Sequence, residues 1–145
     1  VRRLRADDGS ILPLIIFFGF LALVVVIAAS AATSLYLERK RLFSLADSAS
    51  LVGAEAFDTG SVIQTDDGDV RLRLRSADVA ASVRHLIAAQ PHADFHALHI
   101  DSAASVDGES ATVTLSAYWR PPVLGPLMPR GIRMQVTSVA RAVFD

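Results

Sequence analysis

From Gly9 to Leu37 the chain carries no charged residue, and fourteen of the seventeen residues from Ile11 to Ile27 are Leu, Ile, Val or Phe. A run of that kind has few places to go. Each large apolar side chain favours insertion by a few tenths of a kcal/mol, so the run is favourable by roughly 4 to 8 kcal/mol, enough to outweigh Pro13 and Gly19. A soluble helix as long as this would need apolar partners on every side, whereas about 20 residues suffice to cross a bilayer. The segment 11–37 therefore reads as a transmembrane helix, with the lipid bilayer as its partner, and 1–10 as a basic leader.

A cleaved signal peptide is the rival reading. Arg2, Arg3 and Arg5 precede the run, and Ala29-Ser30-Ala31 has the small-x-small form of a cleavage site. Two features favour a retained anchor. The apolar core is longer than the roughly 7 to 15 residues of a signal peptide, and helical character continues through Tyr36 and Leu42 to Phe57. Charge leaves orientation open, since Arg39, Lys40 and Arg41 balance the three arginines before the run. The chain has no cysteine, which suits either compartment. Beyond Leu42 there are eight basic residues against twelve acidic ones, a balance that gives little general attraction to nucleic acid or anionic lipid.

Residues 38–57 form a helical stalk. Leu35, Leu42, Leu45, Ala46, Ala49, Val52, Gly53 and Ala56 recur at three- and four-residue steps and make one packing stripe, for a partner helix or for the chain's own domain. Leu gives way to Ala and Gly along it, so that its partner can approach the backbone. The remainder, 58–145, holds about enough residues for one small domain. Asp58-Thr59-Gly60 closes the stalk, and Asp66-Asp67-Gly68-Asp69 marks a turn. Val70 to Arg75 alternate as a strand, with Val70, Leu72 and Leu74 inward and Arg71, Arg73 and Arg75 on the other face. Ser76 is placed to cap a helix with Val79, Val83, Leu86 and Ile87 on one side, stopped by Pro91.

Asp107-Gly108 signals a two-residue hairpin turn. Pairing Val106 with Glu109 sets Ala104 against Ala111, Asp101 against Thr114, Ile100 against Leu115, His99 against Ser116 and Leu98 against Ala117. A last strand, Ile132 to Phe144, has Ile132, Met134, Val136, Ala140, Ala142 and Phe144 inward, and Arg133, Gln135, Thr137 and Arg141 outward. The fold class is α+β: a long N-terminal transmembrane helix extending into a small domain with one further helix and an antiparallel sheet.

Chemistry finds little footing. His85, His92, His96 and His99 have a spacing that tempts a zinc reading, but in a strand His96 and His99 point to opposite faces, with His96 on the apolar side near Trp119. No cofactor or metal is assigned. Nucleophile elbows, phosphate loops, zinc-protease helices and thiols are missing from the sequence. The Arg71, Arg73, Arg75 row offers an anionic-ligand face, and with it the alternative of a membrane-tethered binding or sensing module; a solvated face is the plainer reading. Between Arg120 and Gly131, Pro121, Pro122, Pro126 and Pro129 break regular structure while Val123, Leu124, Leu127 and Met128 remain apolar. Those four either fold back over the sheet, the reading preferred, or meet a partner.

The leader ending in Gly9-Ser10, the anchor, Tyr36-Leu37-Glu38-Arg39-Lys40-Arg41-Leu42 and the run Leu45 to Ala56 resemble the N-terminal region of TadE/TadG-like proteins. In that family an anchor leads into an Arg-Leu-x-x-x-Ala-Asp-x-Ala-x-x-x-Gly-Ala helix. The resemblance covers about the first 57 residues. It implies a pilin-like, non-enzymatic component of the Tad (Flp) pilus assembly machinery, with other pilus assembly proteins as partners and possible self-association through the N-terminal helix. It implies a cytoplasmic leader, an outer domain, and a processing site between Gly9 and Ser10. Leu14 stands where major pilins carry Glu, so no buried carboxylate needs a partner in lipid.

Overall fold

A computed structural model describes residues 11–56, 62–64, 70–90, 95–123, 125–126 and 128–141. One helix, α1 (Ile11–Ala54), runs unbroken for 44 residues, about 66 Å at 1.5 Å per residue. Its last bonds tighten into a turn, Glu55 N–H to Leu51 O and Ala56 N–H to Gly53 O, so the helix stops three residues before the expected Phe57. A two-stranded ribbon follows, β1 (Val62–Gln64) paired antiparallel with β2 (Val70–Leu72). The second helix, α2 (Ser76–Ala89), leads to a three-stranded antiparallel sheet: β3 (His96–Ala104), β4 (Ser110–Trp119) and β5 (Ile132–Arg141) in the order β3-β4-β5.

Both helices lie on one face of that sheet. The core joins Leu42, Ala46, Ala49 and Ala54 of α1, Val79 and Val83 of α2, Ala111, Val113, Leu115, Ala117 and Trp119 of β4, and Met134, Val136 and Ala140 of β5. Strict alternation makes this possible: odd-numbered positions of β4 and even-numbered positions of β5 point at the helices. Burying a residue such as Leu42 completely is worth about 1.5 to 3 kcal/mol, so the seam of α1 with β4 and β5 carries much of the domain's stability.

The opposite face is polar. Arg133 Nη2 donates to both carboxylate oxygens of Asp101 at 2.9 Å, Ser116 Oγ donates to Asp101 at 3.0 Å, and Thr114 and Thr137 share a bond across β4 and β5.

Several expectations are corrected. β1 has no counterpart in the sequence reading. Regular strand structure ends at Leu72, and Arg73 to Arg75 form a link to α2. Ser76 does not cap α2; the cap position is Arg75, with no side-chain bond, while Ser76 Oγ donates to Ser105 O and accepts from Ser105 N–H. Ile132 is substantially exposed, not inward.

The hairpin register also differs. Ile100 pairs with Leu115 and His99 with Ser116 as expected, but Ala104 pairs with Thr112 and Ser102 with Thr114. Asp101 is the extra residue of an irregularity between Ile100 and Ser102, and it is this displacement that aims its carboxylate at Ser116 and Arg133. The connection is a five-residue loop, 105–109, rather than a two-residue turn. Asp107 organises it by accepting from Glu109 N–H, Ser110 N–H and Ser110 Oγ. Those bonds hold its carboxyl well below the usual carboxylate range, the Ser110 hydroxyl contributing most.

Candidate functional site: the seam between helix and sheet

The stripe residues meet the chain's own domain. Leu42, Ala46, Ala49 and Gly53 are buried, Leu35, Leu45 and Ala56 are half-buried against the core, and Val52 is half-buried. Small side chains are required where α1, α2 and β4 converge. A Cβ on Gly53 would lie 3.1 Å from Val79 Cγ1 and 3.2 Å from Ala111 Cβ, tighter than ordinary packing.

One polar clasp fixes the helix to β5. Ser138 Oγ donates to Asp47 Oδ1 at 3.0 Å; Ser50 Oγ donates to the Asp47 carbonyl at 2.8 Å and lies 3.3 Å from Ser138 Oγ. Ser138 and Ser50 are buried, so each hydroxyl needs such a partner. Every named position of the run Leu42, Ala46, Asp47, Ala49, Gly53, Ala54 thus has a job in holding the sheet on the helix.

A second tie lies nearer the N-terminus. Trp119, at the end of β4, donates Nε1–H to Ser34 Oγ at 3.3 Å, and Ala31 and Leu35 pack against the core. The domain therefore reaches down α1 as far as Ala31, inside the segment 11–37 assigned to the membrane. What remains bare is Ile11 to Ser30, where all residues but half-buried Ile27 are exposed. This helix is long and apolar enough to cross a membrane, and its most apolar window is 0% buried within the protein. Tyr36, Leu37, Phe43 and Leu51 are exposed along the clad half.

Other sequence candidates disperse. Val123 and Met128 are exposed rather than folded back over the sheet, and among the described residues of their loop Pro121 is the buried one. His96 pairs with Tyr118 and His99 with Ser116, so both stand on the outer face of the sheet; a register shift between them, where Ala97 takes φ +50, cancels the parity that would have opposed them. His96, His99 and His85 are exposed. Among the described residues no group of three His, Asp or Glu is gathered as a metal would need. Arg73 and Arg75 are exposed, and the Arg73 side chain lies against Gly108, whose φ of +77 suits glycine. The arginine row is thus not a strand face. Gly9, Ser10, Arg71's side chain, Pro91, His92, Leu124, Leu127, Ala142 and Phe144 lie outside the described residues.

A bare apolar helical half continuing into a sheet-clad half is an α+β architecture with one candidate membrane-spanning segment. Residues 9–56 match a family described as "Putative Flp pilus-assembly TadE/G-like", and the chain is TadE/TadG-like over that segment. No curated protein and no solved structure matches the chain. The match covers the apolar run and both residues of the clasp on α1, Asp47 and Ser50.

Proposed function

We propose that this chain is a single-pass, pseudopilin-like or accessory subunit of Tad/Flp pilus assembly, acting by packing and not by catalysing a reaction. The observation that carries the reading is the two-part α1: among the described residues its first twenty are exposed except half-buried Ile27, and its last twenty-four carry the stripe that the sheet covers. In an assembly the bare half packs among lipids and other anchors, where the small residues Ala28 to Ser30 permit close approach. The clad half holds the domain at a fixed height beside the membrane. Leu42, Ala46, Ala49 and Gly53 are taken up internally, so contacts with pilus assembly proteins fall to the anchor and to the exposed Tyr36, Phe43 and Leu51 side.

By the family likeness the domain faces outward from the cytoplasmic membrane, and a cut between Gly9 and Ser10 would free the anchor's N-terminus. Mass spectrometry of the mature chain tests the cut: a new terminus at Ser10 is expected, whereas one near Ala32 would make the anchor a signal peptide. Deleting the gene tests the role. Loss of surface pili, restored by the full chain, is the expected result; normal piliation in the deletion strain contradicts it.

A further inference from the structure

Charge in this chain is segregated. From Ser110 to Phe144 there are four arginines and no Asp or Glu, although residues after Leu42 are acidic in total; Arg133 and Arg141 pair with Asp101 and Glu109 on the sheet, and Arg120 and Arg130 fall outside it. Part of this basic stretch forms the twelve-residue connection 120–131 between β4 and β5. The seam fixes where that connection sits. Ala111, at the start of β4, packs near Gly53, whereas Trp119 at its end bonds to Ser34, and Ile132 opens β5 beside Leu35 and Arg39. The connection therefore leaves the sheet at the end that faces the bare half of α1.

Height along the helix then places it. Ile11 to Ser30 spans about 30 Å, the thickness of a hydrocarbon core. Ser34 stands about 6 Å further out, within a headgroup layer roughly 5 to 7 Å deep on each side. With Ile11 to Ser30 in the hydrocarbon core, Ser34 and the buried Trp119 bonded to it come to headgroup level, and the connection extends from there. Its described residues are tied together: Met128 N–H bonds to Gly125 O, Gly131 N–H bonds to Met128 O, and Gly131 takes φ +65 with no room for a Cβ beside Trp119 O. Val123 is 56%, Met128 40% and Ile132 42% exposed, and Arg120 and Arg130 are exposed among them. Apolar tips flanked by arginines are the composition of a surface that enters an anionic lipid interface.

We infer that the 120–131 connection is a second membrane contact, in which Val123, Met128 and Ile132 enter the interfacial layer while Arg120 and Arg130 meet anionic lipid headgroups. It rests on α1 spanning the bilayer. Two contacts at separate points fix the tilt and rotation of the domain on the membrane, which a single helix leaves free.

The chain has no cysteine, so single nitroxide labels can be placed on the full-length protein in vesicles of equal parts phosphatidylcholine and phosphatidylglycerol. Labels at Val123→Cys and Met128→Cys should show an oxygen-to-nickel-chelate collision ratio several-fold above that at Val106→Cys, which is 91% exposed in the loop at the sheet's other end. A label at Phe18→Cys should report the bilayer interior. If Val123→Cys and Met128→Cys read as wet as Val106→Cys while Phe18→Cys stays in lipid, the contact is overturned and the anchor stands. A wet Phe18→Cys overturns both. In the Arg120→Gln/Arg130→Gln background the loop labels should retreat toward water with Phe18→Cys unmoved; unchanged depth would overturn the role of the headgroup charge.

Discussion

The two halves of α1 are made of one continuous helix, yet they meet different surroundings by different means. From Ile11 to Ile27 large apolar residues cover every side, so no face is distinguished and a surrounding lipid is sufficient. From Ala31 to Ala54 apolar residues are gathered on one stripe that shrinks from Leu35 and Leu42 to Ala49 and Gly53, and a sheet lies along it. The difference teaches that uniform greasiness selects a solvent, whereas patterned greasiness selects a partner of definite shape. The Asp47–Ser138 bond then sets that partner's position, which apolar contact alone leaves free to slide.

Substitutions at matched positions should separate the halves. Leu42→Ala empties a fully buried site and should cost about 2 to 5 kcal/mol of domain stability, read as a lowered denaturant midpoint with membrane attachment unchanged. Leu21→Lys should do the reverse, opposing insertion by about 3 kcal/mol and moving protein out of the membrane fraction; the same change at exposed Leu37 should stay within about 0.5 kcal/mol of domain stability. Gly53→Val crowds Val79 and Ala111 and should cost about 1 to 3 kcal/mol. Asp47→Ala leaves the buried Ser138 hydroxyl to its longer 3.3 Å contact with Ser50 Oγ and should cost about 1 kcal/mol, a loss that Asp47→Asn should partly restore.

The smallest effect lies far from both halves. Because the Asp107 carboxyl is held low in the folded state, its support of the 105–109 loop is complete above the ordinary carboxylate range and is lost only as pH falls through the lowered folded value. Amide shifts of Glu109 and Ser110 should titrate with a midpoint below the ordinary 3.8, and Asp107→Asn should abolish that step.

The long apolar helix, α2 and the three strands of the sheet were legible because each rests on periodicity, which depends only on backbone geometry. The misreadings occur where one residue breaks a period. The extra residue at Asp101 shifts the register on its turn side and turns a two-residue turn into a five-residue loop, and a second shift near Ala97 puts His96 and His99 on one face. β1 is too short, at three residues, for alternation to mark it. The Ser138 end of the clasp was invisible because a polar residue on an inward position looks like an interruption until its partner 91 residues away is seen. The basic stretch after Ser110 was in plain view, but summing charge over the whole domain concealed it.

A cysteine scan along α1 in native membranes, reacted with a membrane-impermeant maleimide, tests the division of the helix most directly. Positions from Leu12 to Ala28 should be silent whichever side they face, whereas beyond Ala31 reactivity should follow the helical period, high at Tyr36, Phe43 and Leu51 and silent at Leu42, Ala46 and Ala49. Reactivity throughout the first half, or a helical period running through it, would contradict a lipid-embedded half joined to a sheet-clad one.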